Sequence, residues 1–212
     1  MKDTGRRTPS SSASEQFPAA IYSETVLAVN FEDAKKYFLE ALLEIHAAHT
    51  LMLSRQGIIP QNDARTILAA IEGLDRPAIL AARYDGKCED LFFYVQDLLV
   101  QACGADAAGK MHTARSRNDI DLTLYRMRLR HEVLRIAEDT AEARQVLLEL
   151  APAHIETLMP AYTHTQPAQP TTLAHYLLGA IEFLGRDVQR LRAAFATVNR
   201  NPLGACAITT TG

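Results

Sequence analysis

Hydrophobic positions along the chain recur at three- and four-residue spacing almost throughout, the period of amphipathic α-helices. Asn30 stands as a cap before Phe31, Ala34, Phe38, Ala41, Ile45, Ala48 and Met52, and Gly57 follows as a stop signal. Pro60 opens a second run with Ile67, Leu68, Ile71 and Leu74 on one face, ended by Asp75-Arg76-Pro77. A third run, Glu89 to Cys103, has acidic residues in its first turn and Gly104 just beyond its end. Two longer runs come next. From about Asp119 to Leu150 there is no Gly or Pro, and Ile120, Leu124, Met127, Leu134, Ala141 and Leu148 form a stripe interrupted by His131, Glu138 and Gln145. From about Thr171 to Val198 the stripe Leu173, Leu177, Ile181, Leu184, Val188, Leu191, Phe195, Val198 is cleaner.

At 1.5 Å per residue, each long run predicts a helix roughly 40–50 Å in length. Seams of that length belong in an elongated bundle whose partner helices cover the stripe. No strand-like alternation of useful length is visible. The pattern predicts an all-α chain: a disordered tail over 1–20, a small helical N-terminal domain over 21–111, and the first long helices of a central bundle over 112–212. The turn Asn201-Pro202-Leu203-Gly204 and the Thr-rich stretch from Ala205 to Gly212 lead to no further element. Two helices do not complete a bundle, so the chain reads as a fragment.

Composition narrows the function classes. The 212 residues are 48% hydrophobic, enough for a sizeable core, and 22 basic against 25 acidic residues leave a net charge of −3. That balance points away from nucleic acid and from an anionic membrane surface, and no apolar run approaches spanning length. Cys88, Cys103 and Cys206 are odd in number and far apart, which suits reduced thiols in a cytoplasmic protein. The first sixteen residues hold Arg6, Arg7 and a Ser-rich patch without an apolar segment, unlike a secretory signal, and Asp3 and Glu15 argue against a transit peptide.

Two polar blocks concentrate the chemistry. The first runs His112-Thr113-Ala114-Arg115-Ser116-Arg117-Asn118-Asp119 and the second Thr163-His164-Thr165-Gln166-Pro167-Ala168-Gln169-Pro170, each just ahead of a long helical run. A helix N-terminus offers unpaired N–H groups and partial positive charge, so guanidinium, hydroxyl and amide groups gathered there suit a carboxylate. The plainer alternative leaves Ser116 or Asn118 as a cap, with both arginines paired to surface acids. In the second block, His164 is either a proton carrier near neutral pH or a hydrogen-bonded structural residue between shaping prolines. His46 and His49 share a helix face but lack further partners at ligand spacing, so no metal and no other cofactor is expected. Arg126, Arg128 and Arg130 alternate with core positions and read as a solvated face.

Taken together and in this order, the blocks resemble the fumarase/aspartase superfamily, and within it the argininosuccinate lyases. His112 to Asp119 matches the form H-T-G-R-S-R-N-D with Ala114 in place of Gly, and Thr163 to Pro170 matches T-H-x-Q-x-A-Q-P. Met159-Pro160-Ala161-Tyr162, Pro202-Leu203-Gly204 and Glu89-Asp90 are similar as well. The resemblance implies a homotetrameric carbon–nitrogen lyase that releases fumarate from an N-succinyl amine, argininosuccinate foremost, yielding arginine. It implies substrate contacts from Thr113, Ser116, Arg117, Asn118, Thr163 and Gln166, and a catalytic role for His164. Ser23 and Thr25 are the candidates for a further N-terminal contact. Two departures stand out. Phe92 occupies a place where the family commonly has His, which bears on the amine half of the substrate. The family's Ser-containing loop, of the form G-S-S-x-M-P-x-K-x-N-P, falls beyond residue 212. A related lyase acting on another succinyl-aminocarboxylate and a non-catalytic helical scaffold are the alternatives.

Overall fold

The computed structural model describes residues 18–207. Most of the expected tail, and the end of the Thr-rich stretch from residue 208 on, lie outside the described residues. Helices dominate: α1 (Ala20–Tyr22), a π-helical turn (Ser23–Leu27), α2 (Ala28–Arg55), α3 (Gln61–Glu72), α4 (Arg76–Ala81), α5 (Leu91–Cys103), α6 (Ala105–Lys110), α7 (Arg117–Leu150) and α8 (Leu173–Val198). A 3-10 turn (Ala151–His154) and two strands, β1 (Leu158–Thr163) and β2 (Gln166–Thr172), separate α7 from α8. The described chain forms two compact units that part between Thr113 and Ala114.

The first unit holds the densest core. Phe31, Leu39, Leu42, Leu43, Leu53, Ile67, Ile79, Leu91, Val95, Leu99 and Met111 are all buried there. The buried face of α2 differs from the predicted stripe. Only Phe31 and Ile45 of that stripe are buried, while Ala48 and Met52 are exposed. The face is turned because polar side chains inside it are satisfied: Thr50 Oγ1 donates to His46 O at 2.7 Å, and His49 Nε2 bonds Thr113 O at 2.8 Å. Asn30 caps nothing, since helix already begins ten residues earlier.

Asp75-Arg76-Pro77, expected to end α3, instead starts α4. Asp75 Oδ1 accepts from Ala78 N at 2.9 Å, and Pro77 sits in the first turn, where its missing N–H costs nothing. Lys35, a buried cation, closes the other end of α4: its ammonium donates to Leu80 O (3.0 Å) and Ala82 O (2.5 Å) and pairs with Glu32 (2.9 Å). Asp90 caps α5 by accepting from Phe93 N at 3.2 Å, which places the helix start at Leu91 and not Glu89.

In the second unit, α7 and α8 run antiparallel. Arg126 Nη1 near the start of α7 donates to Thr197 O (3.1 Å) and Val198 O (3.2 Å) at the end of α8, and Arg130 reaches Asn199 Oδ1 at 3.1 Å. The predicted α8 stripe is buried or half-buried at all eight positions. On α7 burial stops at Leu124, and Leu122, Tyr125, Leu129 and Leu134 are about half exposed, as are Tyr176 and Phe183 on α8 or more so.

The β1–β2 hairpin went unpredicted. It pairs Leu158 with Thr172 and Thr163 with Gln166, with an irregularity between Pro160 and Tyr162. Both strands are edges lying largely in solvent; β1 alternates only weakly, with Met159 and Ala161 half-buried between exposed neighbours, and β2 is exposed until Thr171. Edge positions also accommodate Pro160, Pro167 and Pro170, residues that argue against a strand elsewhere.

Candidate active site

The first block ends one unit and begins the other. Thr113 closes the turn after α6: its amide and its Oγ1 both donate to Lys110 O, at 3.2 and 2.8 Å, and its carbonyl takes the His49 contact. Ala114 then adopts a left-handed φ of +65°. In the motif this is the one position where the family form has Gly, and the backbone explains that preference, because a Cβ in this region is strained by about 1–2 kcal/mol.

Ser116 is the N-cap of α7, and Arg117 and Asn118 form its first turn. Asn118 is exposed, while Ser116 and Arg117 are half-buried. Asp119 reaches back as the return arm of a capping box, its Oδ1 accepting from Ser116 N (2.6 Å) and Ser116 Oγ (3.0 Å). Its Oδ2 accepts from Gly204 N (2.8 Å) and Ala205 N (3.2 Å) in the segment that leaves α8, and Cys206 N donates to Ala114 O at 3.2 Å. Burial opposes a charge on Asp119, but these donors outweigh it and hold its carboxyl below the ordinary value. Arg117 Nε pairs with Asp121 at 3.1 Å. Arg115 is only 2% exposed, and its three nitrogens have no hydrogen-bond partner among the described residues. Burial pulls its pKa down to about 10 against the attraction of Asp119, leaving a buried cation balanced through space by one carboxylate. The capping alternative thus holds for Ser116 and the ion-pair alternative for Arg117, while Asn118 stays open to solvent.

The second block is no loop ahead of a helix; it is the tip of the hairpin. His164 (φ +50°) and Thr165 (φ +62°) are its two turn residues, both left-handed as in a type I′ turn. That turn favours Asn and Gly, so His-Thr holds strain at an exposed tip, a recurrent mark of functional positions. His164 Nδ1 shares a hydrogen bond with Thr163 Oγ1 at 2.9 Å, and Thr165 Oγ1 donates to His164 O at 2.6 Å. Gln166 faces Thr163 across the first register pair.

The structure does not bring the two blocks together within one chain. Ser116–Asn118 sit at the start of the 34-residue α7, whereas the hairpin follows its end, after the 3-10 turn. At 1.5 Å per residue α7 is about 50 Å long, and the hairpin lies against the first half of α8, Ala161 and Gln169 lining one cavity with Gly179 and Phe183.

Of the remaining candidates, Ser23 lines a cavity of about 360 Å³ with Pro18, Glu24, Ala28, Tyr84, Asp85 and Gly86. Thr25 spends its hydroxyl on Ile21 O at 2.6 Å. Phe92 is 8% exposed and packs edge-on against His46 and His112, with ring centroids 6.0 and 5.6 Å apart. Sequence reasoning missed Asp119 and its tie to Gly204 and Ala205. The signal was present as an S-x-x-D pattern at the block's end, read only as part of a motif.

A lyase family profile matches residues 74–212. Argininosuccinate lyase 2 of Agrobacterium fabrum is 42% identical, over 96% of this chain and 41% of its own length. Argininosuccinate lyase of Natronomonas pharaonis is 45% identical, over 82% of this chain and 35% of its own. Among solved structures, an EDDS lyase in complex with formate is 34% identical with a TM-score of 0.74, covering 92% of this chain and 38% of that one, and a variant with bound fumarate matches equally. A fumarate lyase:delta crystallin from Brucella melitensis, at 16% identity and a TM-score of 0.66 over 89% of this chain and 47% of that one, shares the fold. The chain spans about two fifths of the curated relatives it matches.

Proposed function

The chain belongs to the lyase family, within the fumarase/aspartase superfamily, and on that premise we propose that the complete protein is a carbon–nitrogen lyase eliminating fumarate from an N-succinyl amine, with argininosuccinate as its substrate. The observation that carries the reading is the pairing of a donor-rich helix start with a strained His-bearing hairpin tip, in a chain 40–45% identical to several argininosuccinate lyases.

The hard step is removing a proton from the carbon beside a carboxylate, which yields a dianionic aci-carboxylate. Fixed donors stabilise that charge as it develops. The first turn of α7 supplies Arg117 and Asn118, together with N–H groups and the positive end of a 34-residue helix, and Ser116, the N-cap whose N–H and hydroxyl both donate to Asp119, fixes where that turn begins. Thr163 adds a hydroxyl, Gln166 an amide, and Thr113 helps to shape the turn leading into the helix. His164 exchanges a proton with the departing amine, Thr163 holding its Nδ1. The Ser that abstracts the carbon-bound proton belongs to the family loop outside these 212 residues.

With block one at the start of α7 and the hairpin beyond its end, packed on α8, a working site takes one block from each of two copies. The exposed apolar faces of α7 and α8 accord with such an assembly, a homotetramer as in the superfamily. No helix among the described residues is long and apolar enough to cross a membrane, in keeping with a cytoplasmic enzyme. One observation favours a second reading, in which the amine half is another aminocarboxylate. The buried Phe92 stands where a polar ring is common, and an EDDS lyase is among the structural relatives. Following fumarate absorbance with the full-length protein, offered argininosuccinate and EDDS in parallel, separates the two readings. No fumarate from either sinks both.

A further inference from the structure

We propose that Asp119 is a positioning residue of this active site, and that the segment Gly204–Cys206 is part of its frame. The inference rests on the lyase reading above. Among the groups assigned to substrate chemistry Asp119 holds Ser116 twice, through the amide at 2.6 Å and the hydroxyl at 3.0 Å. The same carboxylate takes Gly204 N and Ala205 N, and Cys206 N bonds Ala114 O one residue before Arg115. The strand of chain leaving α8 is therefore fastened to both sides of the block that carries Ser116, Arg117 and Asn118.

Backbone conformation supports a built arrangement. Ala114 (+65°), Gly204 (+84°) and Cys206 (+55°) all sit at left-handed φ, and two of the three carry a Cβ. Such conformations persist where surrounding contacts over-determine them. A capping residue requires only the helix amide; here one oxygen does the capping and the other recruits a segment 85 residues away. Arg115 adds a reason for a full charge. Its buried cation has Asp119 as the opposing charge, so a neutral isostere leaves it uncompensated. Donors misplaced by a fraction of an ångström at the helix start then lose their alignment with the developing charge.

The test is a double-mutant cycle in the full-length enzyme, with Asp119→Asn, Ser116→Ala and the pair assayed for fumarate release. We expect Asp119→Asn to lower kcat by about a hundredfold with little change in KM. We expect Ser116→Ala in that background to cost less than about threefold more, because both changes act through one group. Amide exchange at Gly204 and Ala205 should become faster in Asp119→Asn and stay unchanged in Ser116→Ala. If Asp119→Asn does not fold, Asp119→Glu, with its carboxylate one methylene further out, takes its place in the same cycle. Losses that multiply, or a folded variant with kcat within about threefold of wild type, overturn the proposal. A wild-type enzyme that releases no fumarate overturns the lyase reading itself, and is distinguished by failing before any variant is made.

Discussion

The two polar blocks reach chemical competence by opposite means. The first is over-determined. Its N-cap, its buried Arg115 and a carboxylate shared by four donors leave few alternative arrangements for Ser116 to Asn118. The second stands in solvent on a two-residue turn, held by its strand register and by hydroxyl contacts within the turn itself. A group that stabilises charge benefits from rigidity, since its donors must point at one place as the charge appears. A group that carries a proton must exchange it, and an exposed hairpin tip permits that. The contrast teaches that a catalytic constellation need not be equally stiff in all its parts.

The comparison breaks most directly if either block works alone. In the full-length enzyme, His164→Asn should lower kcat by about a hundredfold or more, and Asn118→Ala by a similar factor. Coexpressing the two variants should restore roughly a quarter of wild-type turnover, since that share of sites draws an intact block from each of two copies. Turnover that stays at the level of the single variants would show that both blocks act within one chain.

A smaller effect separates stiffness from strain. Replacing Thr165 with Gly relieves a β-branched residue from left-handed φ and should stabilise the protein by about 1–2 kcal/mol, read from urea midpoints. Ala114→Gly should gain only about 0.5 kcal/mol, because both changes add the same freedom to the unfolded chain but an unbranched Ala is less strained at left-handed φ than a β-branched Thr. An equal gain at both positions would remove the distinction between the blocks.

Acid, compared between wild type and Asp119→Asn, probes the first block. Asp119 ionises more readily folded than unfolded, so its contribution is complete above the ordinary carboxylate value of 3.8 and is lost as pH falls through its lower folded value. Between about pH 5 and pH 3, the Tm of wild type should therefore fall more steeply than that of Asp119→Asn. Parallel curves would show that the four hydrogen bonds do not favour the charged form.

The helical architecture was legible because its elements announce themselves locally. Pro60, Gly104 and the unbroken run to Leu150 mark boundaries through backbone chemistry alone, and the α8 stripe repeats cleanly enough to name its buried side. The α2 stripe misled because His46, His49 and Thr50 are core residues, made so by partners that periodicity does not register. The hairpin stayed hidden for a related reason: its largely exposed strands, with three prolines and only Met159 and Ala161 half-buried in β1, carry no clear period-two signal in the sequence. Block one could be found as a motif and Asp119's capping arm as an S-x-x-D pattern, yet its hold on Gly204 rests on a contact 85 residues distant. Short-range chemistry is written in the local sequence, and long-range fastening is not.

The uneven burial along α7 bears on how the chain acquires its structure. Its first two turns hold every buried residue of the helix, and the remaining length shows half-exposed leucines and tyrosine. A helix pair in that state gains its remaining stability only when other helices cover it, so folding of the second unit is linked by mass action to assembly. The first unit carries its own core and so leans less on assembly. Refolding from denaturant accordingly divides into an early phase indifferent to protein concentration and a later one that quickens as concentration rises.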